Sequence, residues 1–233
     1  MNLQCVNCGH DIGKLFVQYS PGNIRLMKCE NCNAVADPYI ECEFMILLID
    51  LILHKTKAYR HLLYNMFSLE VNNIKGMMWK FNLAYIFLDA YMISVLRTSK
   101  DDWDSSGSLL LPVLTCLKVL IDVLLGNFIA VSVVLVGTKV LLTSTFNIMR
   151  YKEILLALLI SSYFKLFLIA TMVWEFPSSV FFIIDVFVLS SNAVALRVMT
   201  RLRTSRCVAV CFAAHSAKFL LTHFLMPLFS ISF

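Results

Sequence analysis

The sequence has little charge for its length, and most of the deficit falls in its last two thirds. Charged residues make up 15% of the 233 residues and apolar ones 59%, whereas soluble domains carry about a quarter charged residues. After residue 79, long apolar runs follow one another with few interruptions. A soluble core of that size would leave too little polar surface to cover it, so the composition indicates an integral membrane protein.

A secretory signal is also missing. Residues 1–10, MNLQCVNCGH, contain neither the basic segment nor the apolar core of a cleaved signal. The N-terminus is therefore expected in the cytosol. There glutathione keeps thiols reduced, and closely spaced cysteines favour a metal over a disulfide.

Signatures of enzymes are the third absence. The sequence has no HExxH motif, nucleophile elbow or phosphate-binding loop, and His215, Lys218 and His223 in the last apolar stretch have no such motif beside them. We therefore expect a protein that is not an enzyme. A membrane acyltransferase would be the enzymatic alternative, but no arrangement of nucleophile and base supports it.

Against these absences stands a pair of CxxC motifs. Cys5 and Cys8 form the first and Cys29 and Cys32 the second, with twenty residues between them. Four thiolates at this spacing are typical of a zinc site, and their closed coordination leaves no position for substrate or water. We therefore predict structural Zn²⁺. Iron in a rubredoxin-like site has the same spacing, and His10 is an alternative ligand.

The residues between the two motifs predict a hairpin. Leu15–Tyr19 and Ile24–Lys28 have strand-like sequences, and Pro21-Gly22-Asn23 supplies the turn. Gly9 and Asn33, which follow the two motifs, tolerate the left-handed backbone that such turns require. The N-terminal segment is therefore predicted to be a zinc ribbon that folds on its metal.

A segment of mixed character separates this ribbon from the apolar part. Residues 42–53, CEFMILLIDLIL, are too few to cross about 30 Å of hydrocarbon, so we predict a helix packed against other helices or lying at the membrane surface. From Tyr59 to Phe67, apolar residues recur at helical spacing among basic ones, which favours an interfacial helix or, equally, one packed on the membrane domain. The predicted domains are a cytosolic ribbon over 1–41, an amphipathic interfacial segment over 42–78 and a membrane domain over 79–233.

Five apolar stretches are long enough to be tilted membrane helices. They are residues 79–97, 109–143, 154–174, 178–198 and 207–230. Hydropathy alone would allow 109–143 to form two spans with a turn at Gly126-Asn127. Otherwise, one span near 120–143 follows a short lumenal or re-entrant piece broken by Pro112. With one crossing, however, every basic break between spans lies in the cytosol. We therefore predict a mainly α-helical bundle of about five spans, with a cytosolic N-terminus and a lumenal C-terminus.

Ionisable residues interrupt the apolar stretches. Each is costly in hydrocarbon and should face protein or water, which makes it a candidate functional residue. The predicted intramembrane polar site comprises Asp89, Lys118, Asp122, Lys165 and Asp185. Lys118 and Asp122 lie one helical turn apart, whereas the other three would have to pair between helices. The alternative is that these residues only specify the fold, or that the lysines reach out to the membrane interface.

Three stretches resemble a known family. CVNCG from residue 5, YSPGNIRLMKCENCNAVADPYIE from residue 19 and LLIDLILHKTKAYRHLLYN from residue 47 look like the Arv family of endoplasmic-reticulum membrane proteins. The resemblance implies that the four cysteines bind the metal and that ten further residues of this block are important in a way not specified. These are Asn23, Arg25, Asp37, Tyr39, Glu41, Asp50, Tyr59, Arg60, His61 and Asn65.

The same resemblance implies a function and a location. It implies a protein of the endoplasmic-reticulum membrane, and also of the Golgi membrane, that acts in sterol, sphingolipid and glycosylphosphatidylinositol homeostasis, with distant kinship to five-span trafficking proteins of the Yip type. The leading hypothesis is a lipid-handling protein that binds such a lipid and assists its transport. The alternative is a membrane scaffold or trafficking adaptor whose ribbon docks protein partners. Nucleic acid is not an expected partner.

Overall fold

The computed structural model of the protein describes residues 3–66, 71–98, 110–141, 148–174 and 176–222. These residues are mainly helical and form two units. The first unit comprises the described residues up to Met78 together with Val194–Leu202, and it holds the cysteine motifs. The second comprises the described residues of Trp79–Ala193 and Arg203–Phe233 and is entirely helical in its regular structure.

The first unit begins with an antiparallel hairpin. Strand β1 spans Phe16–Ser20 and strand β2 spans Asn23–Leu26, with Phe16 opposite Leu26. Gly22 closes the turn with a φ of 83°, which glycine adopts without a steric penalty. The predicted hairpin is therefore confirmed, with strand ends that differ from the predicted ones by one or two residues.

Short helical elements follow the hairpin. A 3₁₀ turn over Pro38–Ile40 precedes helix α1, Phe44–Ile52, and helix α2, Thr56–Arg60, continues directly as a π-helical turn over His61–Met66. Tyr59 is fully buried inside this unit, so part of the predicted apolar face of the segment packs within the protein. The interfacial placement of residues 42–78 stays a prediction.

Six α-helices among the described residues lie wholly or mainly in the second unit. They are α3 Val71–Thr98, α4 Leu110–Leu141, α5 Ile148–Ser161, α6 Leu168–Val173, α7 Ser179–Thr200 and α8 Thr204–Leu220. The start of the first of them, up to Met78, and the end of the fifth, from Val194, belong to the first unit. A 3₁₀ stretch over Ser162–Phe167 joins α5 to α6, so the chain stays helical from one to the other.

Helix α4 is continuous through Gly126 and Asn127. The alternative of two spans with a turn at these residues is therefore excluded. Helix α4 packs along α8, and a Cβ atom added to Gly137 would lie 3.0 Å from Cγ1 of Val210. The absence of a side chain at Gly137 thus allows the two helices to approach closely.

Three stretches of the described residues are long and apolar enough to cross a membrane. They are Val113–Leu141, Tyr151–Val173 and Ser179–Thr200. The chain is therefore a membrane protein by the composition of its helices. The other two predicted spans fall on α3 and α8, which are not among the three, and residues 223–230 lie outside the described residues. The count of five stays a prediction.

Candidate metal centre and buried polar cluster

The four cysteines of the CxxC motifs converge on one point. Their Sγ atoms all lie within 4.8 Å of one another. The Cys5–Cys32 and Cys8–Cys29 sulfur separations are 3.7 and 3.6 Å. Thiolates at the corners of a tetrahedron around one zinc-sized ion are about 3.8 Å apart, whereas a disulfide needs about 2 Å. The four side chains therefore have the geometry to hold one metal ion, and His10 is not in the group.

Two similar backbone turns present these cysteines. The N–H of Gly9 donates to the carbonyl of Cys5 at 2.8 Å, and the N–H of Asn33 donates to that of Cys29 at 2.9 Å. Gly9 and Asn33 have φ values of 75° and 56°, which confirms the left-handed turns expected after each motif. Each pair of sulfurs is therefore oriented by its own local turn.

The two cysteines of the first motif have different acidities. Burial raises the pKa of the Cys5 thiol to about 12. Burial also opposes ionisation of Cys8, but hydrogen bonds from the His10 backbone and the Asn31 side chain outweigh it and lower the pKa of Cys8 to about 6. Cys8 thus ionises first, and metal binding would have to draw the proton from Cys5.

The first unit also contains a buried carboxylate, that of Asp37. Asp37 Oδ1 accepts the Tyr39 backbone N–H at 3.1 Å, and Oδ2 is 2.7 Å from Nδ1 of His61 and 2.5 Å from Nδ2 of Asn65. Asp37 is fully buried, so its oxygens depend on these protein donors. The carboxylate therefore ties the 3₁₀ turn to the π-helical turn.

Side chains from distant parts of the first unit hold the backbone of the first motif. Asn65 accepts the N–H of Gln4 and donates to its carbonyl, both at 2.9 Å. Arg60 Nη1 donates to the carbonyls of Val6 and Asn7 at 2.9 and 2.8 Å. Arg201 Nη2 donates to the carbonyl of Gly9 at 2.9 Å. The turn around Cys5 and Cys8 is thus braced by residues far along the chain.

A second polar group fixes helix α1. The Tyr39 hydroxyl donates to Oδ2 of Asp50 and Lys55 Nζ donates to Oδ1, each at 2.7 Å. Lys55, and then Tyr39, lower the pKa of Asp50 through these hydrogen bonds. Burial, with the nearby Asp50 carboxylate, raises the pKa of Tyr39, so its hydroxyl stays a donor at neutral pH.

The remaining residues predicted from the resemblance lie elsewhere in the first unit. Tyr59 is buried and its hydroxyl donates to the carbonyl of Leu51 at 3.4 Å. Asn23, Arg25 and Glu41 are exposed. The structure thus gathers Asp37, Tyr39, Asp50, Arg60, His61 and Asn65 into the contacts described above. A functional role for the ten residues stays a prediction.

A separate polar cluster lies inside the helical unit. Asp89 of α3 accepts Lys165 Nζ and Lys218 Nζ, each at 2.9 Å, and Nδ2 of Asn127 at 3.1 Å. Lys218 also donates to Oδ1 of Asn127 at 2.9 Å. Four helical segments therefore meet at one carboxylate, and two ammonium groups share it.

Apolar helices surround this cluster. Asn127 lies at the midpoint of Val113–Leu141, and Lys165 lies within Tyr151–Val173. Asp185 on α7 is within electrostatic range of both lysines and of Asp89. Asn127, Lys165 and Asp185 therefore lie along candidate membrane spans rather than at their ends, where polar atoms could reach water easily. Asp89 and Lys218 lie on α3 and α8, which are not among those spans.

The structure brings together part of the predicted polar site. It joins Asp89 to Lys165, whereas Lys118 and Asp122 lie earlier on α4 than Asn127. Two cluster residues were outside the predicted set. Lys218 interrupts an apolar stretch, which makes it a candidate functional residue on the same ground as the five residues of the predicted site. Asn127 carried no signal beyond that of a turn residue.

Comparison with known proteins agrees with this combination of a four-cysteine centre and apolar helices. A model of the Arv1-like family matches residues 4–196. The chain is similar to Protein ARV 2 of Arabidopsis thaliana, with 56% identity over 93% of this chain and 92% of that protein. It is also similar to Protein ARV 1 of the same plant, with 50% identity over 96% and 89%.

A more distant relative matches over most of its length as well. Protein ARV1 of Homo sapiens is 31% identical over 84% of this chain and 71% of the human protein. No solved structure matches the chain. The match of the family over most of the sequence, together with these relatives, shows that the chain belongs to the Arv1-like family.

Proposed function

We propose that this chain handles lipids in the endoplasmic-reticulum membrane. It would mediate sterol and sphingolipid homeostasis and assist intracellular lipid transport, including delivery of glycosylphosphatidylinositol intermediates, without acting as an enzyme. The observation that carries the proposal is the cluster of Asp89, Lys165, Lys218 and Asn127. Ionisable groups at membrane depth are costly, and they commonly mark the path of a polar substrate.

The cluster offers chemistry suited to a lipid headgroup. Asp89 is an acceptor, the two lysines are donors, and Asn127 supplies one of each. The side chains of Lys165 and Lys218 are 13% and 19% exposed, so each is largely but not completely buried. A sterol hydroxyl, a ceramide amide or a glycolipid headgroup would exchange with one of these hydrogen bonds, while the lipid tails lie along the apolar helices.

We further propose that the metal is Zn²⁺ and that its role is structural. Four thiolates suit a soft, tetrahedral ion, and Cys5, Cys8, Cys29 and Cys32 would fill its coordination shell. No position would remain for a substrate, so the ion would contribute folding energy to the first unit. The proposed placement is multi-pass, with the N-terminus in the cytosol and the C-terminus in the lumen, and the Golgi membrane is a second proposed location.

A second candidate function is a membrane scaffold or trafficking adaptor. The observation in its favour is that the ribbon exposes the large apolar side chains of Tyr19, Met27 and Val35. Apolar side chains on a small metal-stabilised module are typical of surfaces that bind protein partners. In that case the ribbon would dock proteins and the helical unit would only hold it at the membrane.

Lipid movement by the purified chain tests the first proposal. The full chain is reconstituted into vesicles with fluorescent sterol, ceramide and glycolipid probes, and transfer between leaflets and to acceptor vesicles is followed. We expect movement of at least one lipid class, which Asp89→Asn and Lys165→Gln reduce to the rate of protein-free vesicles. Lys139→Gln, at an exposed position of α4 and outside the cluster, is the control and should keep the wild-type rate.

Two results would contradict the lipid-handling proposal. The first is no movement of any probe by protein that is folded and carries its metal, which would favour the adaptor. The second is unchanged movement in folded Asp89→Asn protein, which would remove the cluster from the lipid path. Metal content and thermal unfolding, measured on each variant, show whether the protein is folded.

A further inference from the structure

Helix α1 exposes one apolar face. Phe44, Met45, Ile46, Ile49 and Leu53 are all between 46% and 66% exposed. Leu47 and Leu51, by contrast, are 6% exposed each and pack into the first unit. A helix advances about 100° per residue, so Ile46, Ile49 and Leu53 lie on the side opposite this buried pair. The helix is therefore apolar on the side that faces away from its own unit.

An apolar face of this kind is unfavourable in water. Scattered apolar residues are common on protein surfaces, but a contiguous stripe along one helix marks a contact with a partner or a membrane. We propose that α1 lies in the plane of the bilayer, with this face in the headgroup–acyl boundary of one leaflet, and that it anchors the metal-binding unit to the membrane.

The length of the helix distinguishes an in-plane anchor from a membrane span. Phe44–Ile52 has nine residues, which correspond to about 14 Å of helix, whereas the hydrocarbon core is about 30 Å thick. The three candidate spans of the same chain would hold the protein in a bilayer, so the bilayer is the partner that we propose for this face. Lys57 is exposed just beyond the end of the helix, where an interfacial helix places basic side chains among phosphate groups.

The first unit holds the helix in a fixed orientation. The Tyr39 hydroxyl binds Asp50 on one side of the helix, and the Tyr59 hydroxyl contacts the carbonyl of Leu51 on the buried side. These contacts, with the burial of Leu47, leave the Ile49 side facing outward. The anchor is therefore part of the folded unit rather than a loose segment. It would serve a lipid-handling protein and an adaptor equally, so it does not depend on which of the two functions applies.

Photochemical crosslinking to lipid tests the anchor. Benzoylphenylalanine replaces Ile49 in the full chain, which is reconstituted in vesicles of phosphatidylcholine and phosphatidylserine that carry a radiolabelled acyl chain. We expect a lipid adduct at position 49. Position 128, exposed within a candidate span, is the positive control, and position 19, exposed on strand β1, is the water-facing control that should give none.

A charge on the apolar face provides the second test. A protein with benzoylphenylalanine at position 53 should form a lipid adduct. Adding Ile46→Asp to that protein should remove most of this adduct. The metal content should not change, because Ile46 is exposed and the buried pair of the helix is kept. No lipid adduct at position 49, or an adduct with a second copy of the chain in its place, would overturn the proposal.

Discussion

Asp37 in the first unit and Asp89 in the second unit are both buried carboxylates, at 0% and 2% exposure, with different donors around them. Asp37 is bound by a backbone N–H, an amide and an imidazole. Asp89 is bound by two ammonium groups and one amide. The carboxylate of Asp37 therefore fixes a turn of the backbone. The carboxylate of Asp89 instead compensates the positive charges of Lys165 and Lys218 inside an apolar unit.

The two carboxylates also differ in how far along the sequence their side-chain donors lie. The side-chain donors to Asp37 lie 24 and 28 residues away. Those to Asp89 lie 38, 76 and 129 residues away. Removal of Asp37 should therefore loosen one local assembly, whereas removal of Asp89 should leave two buried charges unpaired and affect the packing of several helices.

The largest expected effect is loss of the metal centre. Cys29→Ser should abolish metal binding and make the ribbon sensitive to protease, because metal affinity in small zinc modules is worth about 10–16 kcal/mol of folding free energy. Metal analysis and limited proteolysis measure this. Cys42→Ser is the control, because Cys42 is exposed and lies outside the four-cysteine group. If Cys29→Ser also unfolded the helical unit, the expectation that the ribbon unfolds independently of that unit would be wrong.

Replacement of Asp89 should have the next largest effect. Asp89→Asn leaves the ammonium groups of Lys165 and Lys218 without their carboxylate, and breaking a buried ion pair costs about 3–5 kcal/mol. Thermal unfolding in detergent measures the loss. Adding Lys218→Met should recover part of the stability, because one unpaired charge is then gone. An additive loss in the double variant would mean that the two residues are not coupled.

Replacement of Asp37 should cost less. Asp37→Asn removes the charge but keeps one oxygen that can still accept hydrogen bonds. We therefore expect a loss of about 1.5–3 kcal/mol, the contribution of one hydrogen bond to a charged group. We expect faster metal release and earlier denaturation of the first unit. Glu30→Gln, at an exposed position between the second pair of cysteines, should behave as wild type. If Asp37→Asn lowered the free energy of unfolding as much as Asp89→Asn does, the different hydrogen-bond donors of the two carboxylates would not determine the loss of stability.

The smallest expected effect is that of pH on Asp50. Its pKa is lowered in the folded protein by Lys55 and Tyr39, so its stabilising interaction is present above the unfolded value of about 3.9 and is lost as pH falls through the lowered folded value. Lys55 is 53% exposed, so solvent screening limits the contribution to about 1 kcal/mol or less.

Denaturation as a function of pH measures this contribution. The stability difference between the wild type and Asp50→Asn should be constant near neutral pH and disappear only in acid. A difference that grows as pH falls would contradict the assigned direction, and Lys55→Met should reproduce most of the neutral-pH loss.

Local patterns in the sequence predicted the convergence of the four cysteines. The spacing of the cysteines, with Gly9 and Asn33 after them and a turn at Gly22, sets the geometry through residues close in sequence. The hairpin follows from the same stretch, because strand-like residues flank the turn. The mainly helical character and the three candidate spans follow from hydropathy.

Contacts between distant residues could not be predicted in the same way. Nothing local indicates that Lys218 reaches Asp89 or that Asn65 holds Gln4, because both depend on how packed helices place their side chains. Asn127 next to a glycine has the composition of a turn, yet the surrounding apolar residues continue the helix and its amide binds Asp89. The number of spans also depends on α3 and α8, which are less apolar than the other long helices.

The hydrogen bonds of Asn65 with the Gln4 backbone restrict which side chains position 65 can accept. Asn65 presents to the Gln4 backbone one acceptor and one donor, which are the groups that a peptide unit offers to a neighbouring strand. The side-chain amide of Asn65 thus makes the two hydrogen bonds with Gln4 that the backbone of a neighbouring strand would make. Its second hydrogen binds Asp37. A carboxylate would lack both donors, an aliphatic residue would lack all three contacts, and glutamine would add a methylene, so only this amide meets every requirement.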